Sequence, residues 1–195
     1  MILYGAGGHG KVVSTLCSDN LSFFFDQDFK DDKVNGFKVI GYSSDINSEE
    51  SVVVSIGDNK IRRKVVRSVL HDFTKVTHMS SLINEHCEIG EGTQIMHGAI
   101  VQIGSQIGPH VIINTSASID HDCKIGDFVH IAPNCTLCGN VEIGEGTMIG
   151  AGTTIIPGIR IGKWSIIGAG SVVVNNIPDN VIVFGNPAKI IREIE

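Results

Sequence analysis

Asp120-His121-Asp122 places an imidazole between two carboxylates. A neighbouring carboxylate keeps an imidazole basic and fixes its orientation, which is what a general base working near neutral pH requires. An exposed histidine between two aspartates is also ordinary surface decoration, and the triplet alone leaves both readings open. His86, His97, His110 and His130 lie in the same stretch of chain. A zinc site needs three ligands converging on one ion. His86 and His121 are 35 residues apart, and no third histidine completes a set within the chain. A zinc hydrase therefore stays open only if an oligomer brings a ligand across.

A second group with chemical potential opens the chain. Met1-Ile-Leu-Tyr-Gly-Ala-Gly-Gly-His-Gly reads as a strand entering a glycine turn, with Gly5, Gly7 and Gly10 spaced G-x-G-x-x-G and Asp26 sixteen residues beyond. Bare backbone at a helix start suits a pyrophosphate, and a carboxylate after the second strand suits ribose or base hydroxyls. A full dinucleotide site needs a second mononucleotide half, for which the ~80 residues available are too few. Half such a site, holding a nucleotide diphosphate, is the preferred reading. NAD and a purely structural turn are the alternatives. Arg62, Arg63, Lys64 and Arg67 form a basic helical run. Its default reading is a solvated helix face, and its sharper one is a contact to ligand phosphates.

These groups need elements to hold them. Ser22–Asp26 and Ser51–Gly57 read as further strands, Lys11–Cys17 as a short helix, and Asp58-Asn59 as a cap on a helix over Lys60–Leu70. The alternation predicts a small parallel α/β unit with its loops at the strand carboxyl ends. From Ile83 to Val173 every sixth residue is Ile, Leu or Val, and Gly follows that residue at 90, 108, 126, 144 and 162. A fixed repeat of this kind marks a solenoid whose units bury their apolar side only by stacking. The 18-residue glycine beat makes three hexapeptides one coil. Two places before each aliphatic residue the chain is mostly Ser, Thr, Ala, Cys or Val, so a small and a bulky residue point together into a narrow prism. Because no hexapeptide is skipped, no long loop is available to cover a site, and a groove would need a neighbouring subunit and the N-terminal unit to complete it.

Composition narrows the partners. A net charge of −6 argues against nucleic acid and acidic membrane surfaces. No apolar run approaches the ~20 residues that span a bilayer, and Met1-Ile-Leu-Tyr is not a signal peptide, so a cytoplasmic protein is expected. Of five cysteines, Cys87, Cys123 and Cys135 fall on the small inward position and read as core fillers.

The aliphatic-Gly-x4 hexapeptides, closed by Val183-Phe-Gly-Asn-Pro-Ala-Lys189, resemble the left-handed parallel β-helix acyltransferases. Tyr4-Gly-Ala-Gly-Gly-His-Gly10, Ser55-Ile-Gly-Asp-Asn-Lys-Ile-Arg62, Asn114-Thr-Ser and Ile119-Asp-His-Asp-Cys123 narrow the resemblance to the two-domain bacterial sugar acetyltransferases. That group includes nucleotide-linked 4-amino-sugar N-acetyltransferases of the bacillosamine and perosamine type and sialic acid O-acetyltransferases.

The resemblance implies an α/β half-Rossmann-like domain over 1–78, a left-handed parallel β-helix of about five coils over 79–177, and a tail over 178–195. It implies acetyl transfer from acetyl-CoA to the 4-amino group of a nucleotide-linked amino-dideoxy sugar, without a metal. His121 is then the general base, with Asp122 beside it. His130, Ala151, Ala169 and Lys189 would contact acetyl-CoA. Gly7, Gly8, His9, Asp26, Gly57 and Asn59 would contact the nucleotide sugar. A homotrimer is implied, with acetyl-CoA between neighbouring β-helices and no nucleic acid or membrane insertion. Asp122 stands where Glu is commoner, and Gln27 where a second acid sometimes follows Asp26. The base is therefore left open among uracil, thymine and guanine. Sialic acid O-acetylation, a zinc hydrase and a non-catalytic nucleotide-sugar module remain the alternative functions.

Overall fold

The computed structural model describes residues 1–194. Its N-terminal part is a five-stranded sheet. Strands β1 (Ile2–Tyr4), β2 (Phe24–Phe25), β3 (Lys33–Val34), β4 (Phe37–Ile40) and β5 (Val52–Val54) lie in the order β3-β4-β2-β1-β5. β1 pairs in parallel with β2 and β5, as a continuous apolar run buried on both faces should. Leu3, Phe24 and Val53 pack to one side with Val13, and Ile2, Phe25, Val52 and Val54 to the other. The antiparallel hairpin β3/β4, turned at Asn35 and Gly36 with positive φ, adds an edge that the sequence reading did not include.

Helix α1 spans Gly8–Ser14, three residues earlier than expected. A Cβ on Gly10 would lie 2.0 Å from the Gly5 carbonyl oxygen, so the glycines let the first helical turn press directly onto the strand end. Helix α2 spans Asn59–Val66, and the Asp58 carboxylate caps it by accepting from the Ile61 N–H at 2.8 Å.

From Val76 onward two-residue strands alternate with turns and stack in parallel as three faces, a parallel β-solenoid of the left-handed β-helix type. The first face runs from Leu82–Ile83 to Val172–Val173 in six strands, and the second from Glu88–Ile89 to Arg160–Ile161 in five. The third has eight. It starts at Val76–Thr77, includes His130–Ile131, and ends in the antiparallel hairpin Val181–Gly185/Ala188–Glu193. Most of the segment expected to be a tail, from Val181 to Glu193, thus extends the third face.

Every sixth residue from Gly92 to Gly170 has φ between 54° and 76°, one left-handed residue per turn. The aliphatic column fills the prism, with Ile113, Ile119, Ile131, Leu137, Ile149, Ile155 and Ile167 fully buried. Each contributes roughly 1.5–3 kcal/mol of apolar burial. The 18-residue glycines have a steric cause. A Cβ on Gly126 would meet the Glu145 N at 2.8 Å, and one on Gly144 the Gly162 carbonyl carbon at 2.7 Å. Cys123 and Cys135 are buried in this core and Cys87 packs against it, and all five cysteines are free, Cys135 and Cys138 included despite their C-x-x-C spacing. Among the described residues no helix is long and apolar enough to cross a membrane.

Candidate active site

A buried cation, Arg62, lies at the centre of the contacts that fasten the N-terminal unit to the solenoid. Arg62 is 0% exposed, contrary to the solvated helix face expected for its run. Its Nε donates to the His110 carbonyl at 2.9 Å. Nη1 donates to the carbonyls of Ile56 at 2.9 Å and Gly57 at 3.2 Å, and Nη2 to Asn59 Oδ1 at 2.9 Å and the Phe128 carbonyl at 2.7 Å. Burial among carbonyls, only partly offset by Asp58, pulls its pKa down to about 9, so it stays cationic at neutral pH. Helical spacing carried the signal. Asn59, Arg62 and Val69 turn one way, while Lys60, Lys64 and Arg67 turn the other.

This clamp organises a polar seam on the third face. The Gly57 carbonyl also accepts from His130 Nδ1 at 3.1 Å, and His130 Nε2 meets Asn114 Nδ2 at 3.1 Å. Asn114 Nδ2 is a donor, so Nε2 is the lone-pair nitrogen and Nδ1 carries the proton. Desolvation, helped by Arg62, pushes the His130 pKa down to about 4, which keeps it neutral. His9 Nε2 donates to Gln94 Oε1 at 2.9 Å, and Gln94 Nε2 donates to the Val54 carbonyl at 3.0 Å. Burial lowers the His9 pKa as well. The His9 and His130 rings are 6.1 Å apart. Sequence reasoning missed Gln94, Asn114 and Arg62 in this seam. Gln94 carried no sequence signal, since Gln106 holds the same strand position and is exposed while Gln94 is 0% exposed.

The other expected site residues divide into free and engaged groups. Gly7 and Gly8 are exposed, with nothing within 4 Å of a Cβ placed on either. Asp26 is half-buried. Its Oδ2 accepts from the Ala6 N–H at 2.8 Å and its Oδ1 from the Asp28 N–H at 3.1 Å, so the carboxylate shapes the glycine loop. Asn59 is buried, and its amide donates to the carbonyls of Gly146 at 3.0 Å and Thr147 at 3.2 Å. Together with the bond from Arg62, this uses its polar atoms within the fold.

His121 stands elsewhere, on the corner between the first and second faces. Its Nδ1 donates to Asp122 Oδ2 at 2.8 Å, and the side chain is 49% exposed. The Asp122 hydrogen bond is the main reason its pKa is raised, with Asp120 adding to it. Asp122 can face the ring because it takes the left-handed turn position, φ 57°, which Asp tolerates. The ring lies over Gly139, where a Cβ would come 2.5 Å from Nε2. Asp120 Oδ1 caps the turn by accepting from the His121 N–H at 2.8 Å.

Ala151 and Ala169 are exposed one coil apart on the corner between the third and first faces, linked by the Gly170 N–H donating to the Ala151 carbonyl at 2.8 Å. Lys189 is exposed on the last strand. A single chain thus brings Gly57, Asn59, His9 and His130 together, and holds His121–Asp122 on a different corner. Among the described residues no three His, Cys, Asp or Glu side chains converge as a metal set.

The chain matches the family described as PglD N-terminal domain over residues 1–69, and the bacterial transferase hexapeptide (six repeats) over 104–139 and 140–175. It is similar to PerB from Caulobacter crescentus in complex with CoA and GDP-perosamine, at 35% identity and a TM-score of 0.92, covering 97% of this chain and 95% of that one. The acetyltransferase domain of PglB from Neisseria gonorrhoeae in complex with acetyl coenzyme A is 38% identical with a TM-score of 0.90, covering 97% and 98%. WeeI from Acinetobacter baumannii is 30% identical with a TM-score of 0.89, covering 97% and 98%. A sheet with a glycine loop, clamped onto hexapeptide coils that carry an aspartate-oriented histidine, therefore has relatives along its whole length: the chain belongs to the bacterial hexapeptide-repeat sugar N-acetyltransferases with a PglD-type N-terminal domain.

Proposed function

We propose that the chain transfers the acetyl group of acetyl-CoA to the 4-amino group of a nucleotide-linked amino-dideoxy sugar, with His121 as general base. One observation carries the assignment of the base. The 2.8 Å bond from His121 Nδ1–H to Asp122 leaves the lone pair on Nε2, at a raised pKa. The neutral amine attacks the thioester carbonyl, the C–N bond forming as the carbonyl π pair moves to oxygen, and collapse of that tetrahedral oxyanion breaks the C–S bond. Nε2 takes the proton released by the nitrogen, and the thiolate leaves to become CoA thiol. General-base catalysis of this kind contributes on the order of 10²–10⁴-fold. A backbone N–H beside the carbonyl would stabilise the tetrahedral oxyanion. No metal takes part in this scheme.

The substrate class is supported by the relative that binds GDP-perosamine and CoA, and by the relative that binds acetyl coenzyme A. The free glycines Gly7 and Gly8, with Asp26 behind them, suit the diphosphate and nucleoside of a half-Rossmann-like site over 1–78. The β-helix over 79–177 would hold acetyl-CoA along His130, Ala151 and Ala169, with Lys189 in the 178–195 segment. Since His121 lies on the corner between the first and second faces and His130 on the third face of one chain, a homotrimer that sets His121 of one copy beside the third face of the next completes the site.

Thiol release from acetyl-CoA, measured across UDP-, dTDP- and GDP-linked 4-amino sugars, tests the reading. One sugar should give turnover that His121→Ala lowers at least 10²-fold with its melting temperature kept. Full activity of that variant removes the base assignment. Turnover only when a hydroxyl replaces the amine would make the enzyme an O-acetyltransferase.

A further inference from the structure

The basic run of α2 is left over from this scheme. Lys60, Arg63, Lys64 and Arg67 are spaced i, i+3, i+4 and i+7 and share the face opposite Arg62. They form one wall of a cleft of about 450 Å³ whose other wall is Trp164, Asn180 and Ile194. Through Lys60, Trp164 and Ile194 this cleft continues into a second of about 360 Å³ floored by Gly57, Met148 and Ile166. Clefts of this size hold small ligands.

Three observations separate this face from a solvated one. Like charges at i,i+3 and i,i+4 destabilise a helix, and the chain as a whole is acidic at −6. The helix dipole favours Arg63 and Lys64 in the last turn of α2, but it disfavours Lys60 in the first. Secondly, Arg63 pairs with Glu145 at 3.3 Å, whereas among the described residues Lys60, Lys64 and Arg67 are in no ion pair. Thirdly, Trp164 occupies a left-handed turn position, φ 54°, where a bulky residue is rare. Its indole lies where a Cβ on Gly146 would come within 2.4 Å, and the Arg63 guanidinium sits 4.9 Å from its centroid. The repeat thus gives up a favoured turn residue to build a rigid wall facing three free cations.

We propose that this cleft binds the phosphate groups of a nucleotide, with Lys60, Lys64 and Arg67 as the contacts and Arg63 and Trp164 as the fixed wall. Two sources carry that chemistry: the phosphorylated adenosine end of CoA, and the diphosphate of the sugar nucleotide. The anion chemistry rests on the cleft alone, and the choice between sources rests on the acetyltransferase reading. The glycine loop, on the other helix, already suits the sugar diphosphate, which favours the CoA end here.

Trp164 is the sole tryptophan, so its emission reports on this cleft without any turnover. CoA, 3′-dephospho-CoA and the free nucleoside diphosphates are titrated against wild type and the Lys64→Gln/Arg67→Gln variant, both side chains being exposed. A saturable response to CoA is expected, weaker with 3′-dephospho-CoA and with added salt, and with an apparent Kd about tenfold higher in the variant. A variant-sensitive response to nucleoside diphosphates alone would assign the same anion site to the sugar nucleotide. No saturable response to any ligand, or equal Kd values in wild type and variant, overturns the proposal. Thiol release is read separately, so either idea can fail without the other.

Discussion

Arg62 and His130 share one acceptor: the Gly57 carbonyl receives Nη1–H of Arg62 at 3.2 Å and Nδ1–H of His130 at 3.1 Å. One residue of the loop entering α2 thereby joins the clamp between the two units to the tautomer of a histidine on the third face. Arg62→Met should destabilise the protein by about 3–5 kcal/mol, because the carbonyls of Ile56, Gly57, His110 and Phe128 would stay buried and lose a charged donor. Urea unfolding measures this. Limited proteolysis should also cut the N-terminal unit of the variant first and spare the coils. A variant as stable as wild type would show that the clamp is dispensable.

The Asp122 contact makes a prediction about pH. A general base works only when neutral, so the rate should fall as pH drops through the raised pKa of His121. Asp122→Asn removes the main cause of that rise. The acidic limb of kcat/KM should therefore move to lower pH, while kcat falls because the ring loses its orientation. An unmoved limb would assign the titration to another group.

The coils were legible because sixfold spacing is enforced by sterics at each turn, and a period survives without knowledge of contacts. His121 and Asp122 were legible for a similar reason, since their contact is between sequence neighbours. Arg62 was legible only as the residue off the face that Lys60, Arg63, Lys64 and Arg67 share, because the partners that draw it inward, His110 and Phe128, are 48 and 66 residues away. Asp26 and Asn59 suit a ligand by residue type, yet Ala6, Asp28, Arg62, Gly146 and Thr147 engage their polar atoms. A sequence shows which groups can bond but not which bonds the fold has already made.

Two buried histidines should set the acid limit of stability. His130 and His110 both have pKa values pushed down to about 4, mainly by burial, and His110 Nδ1 has no hydrogen-bond partner among the described residues. Between pH 4 and the ordinary imidazole value near 6.5 the unfolded chain binds protons that the folded one does not. Stability is then full above about 6.5 and falls with decreasing pH at up to about 1.4 kcal/mol per unit for each histidine. The His110 ring stacks on Phe128 at 5.2 Å and meets Phe73 edge-on at 4.6 Å, so His110→Phe keeps an aromatic in place. The slope of melting temperature against pH below 6.5 should become shallower in that variant, and an unchanged slope would refute the assignment.

Glycines on the two units should respond oppositely to one added methyl group. Gly126 is closed in: a Cβ there would lie 2.8 Å from the Glu145 N and 3.0 Å from the Ile143 carbonyl oxygen. Gly126→Ala must therefore push coils apart, at a cost of about 1–3 kcal/mol. Gly8 has nothing within 4 Å and lies at the start of α1, where alanine is the better helix former, so Gly8→Ala should hold or raise the melting temperature. If the loop approaches a sugar-nucleotide diphosphate, the same methyl group obstructs that approach, and KM for the nucleotide sugar should rise severalfold with KM for acetyl-CoA unmoved. A destabilised Gly8→Ala with unchanged KM values would instead make the turn purely structural. The pair of variants therefore separates the two readings of the glycine motif, because only a ligand makes the open glycine costly to replace.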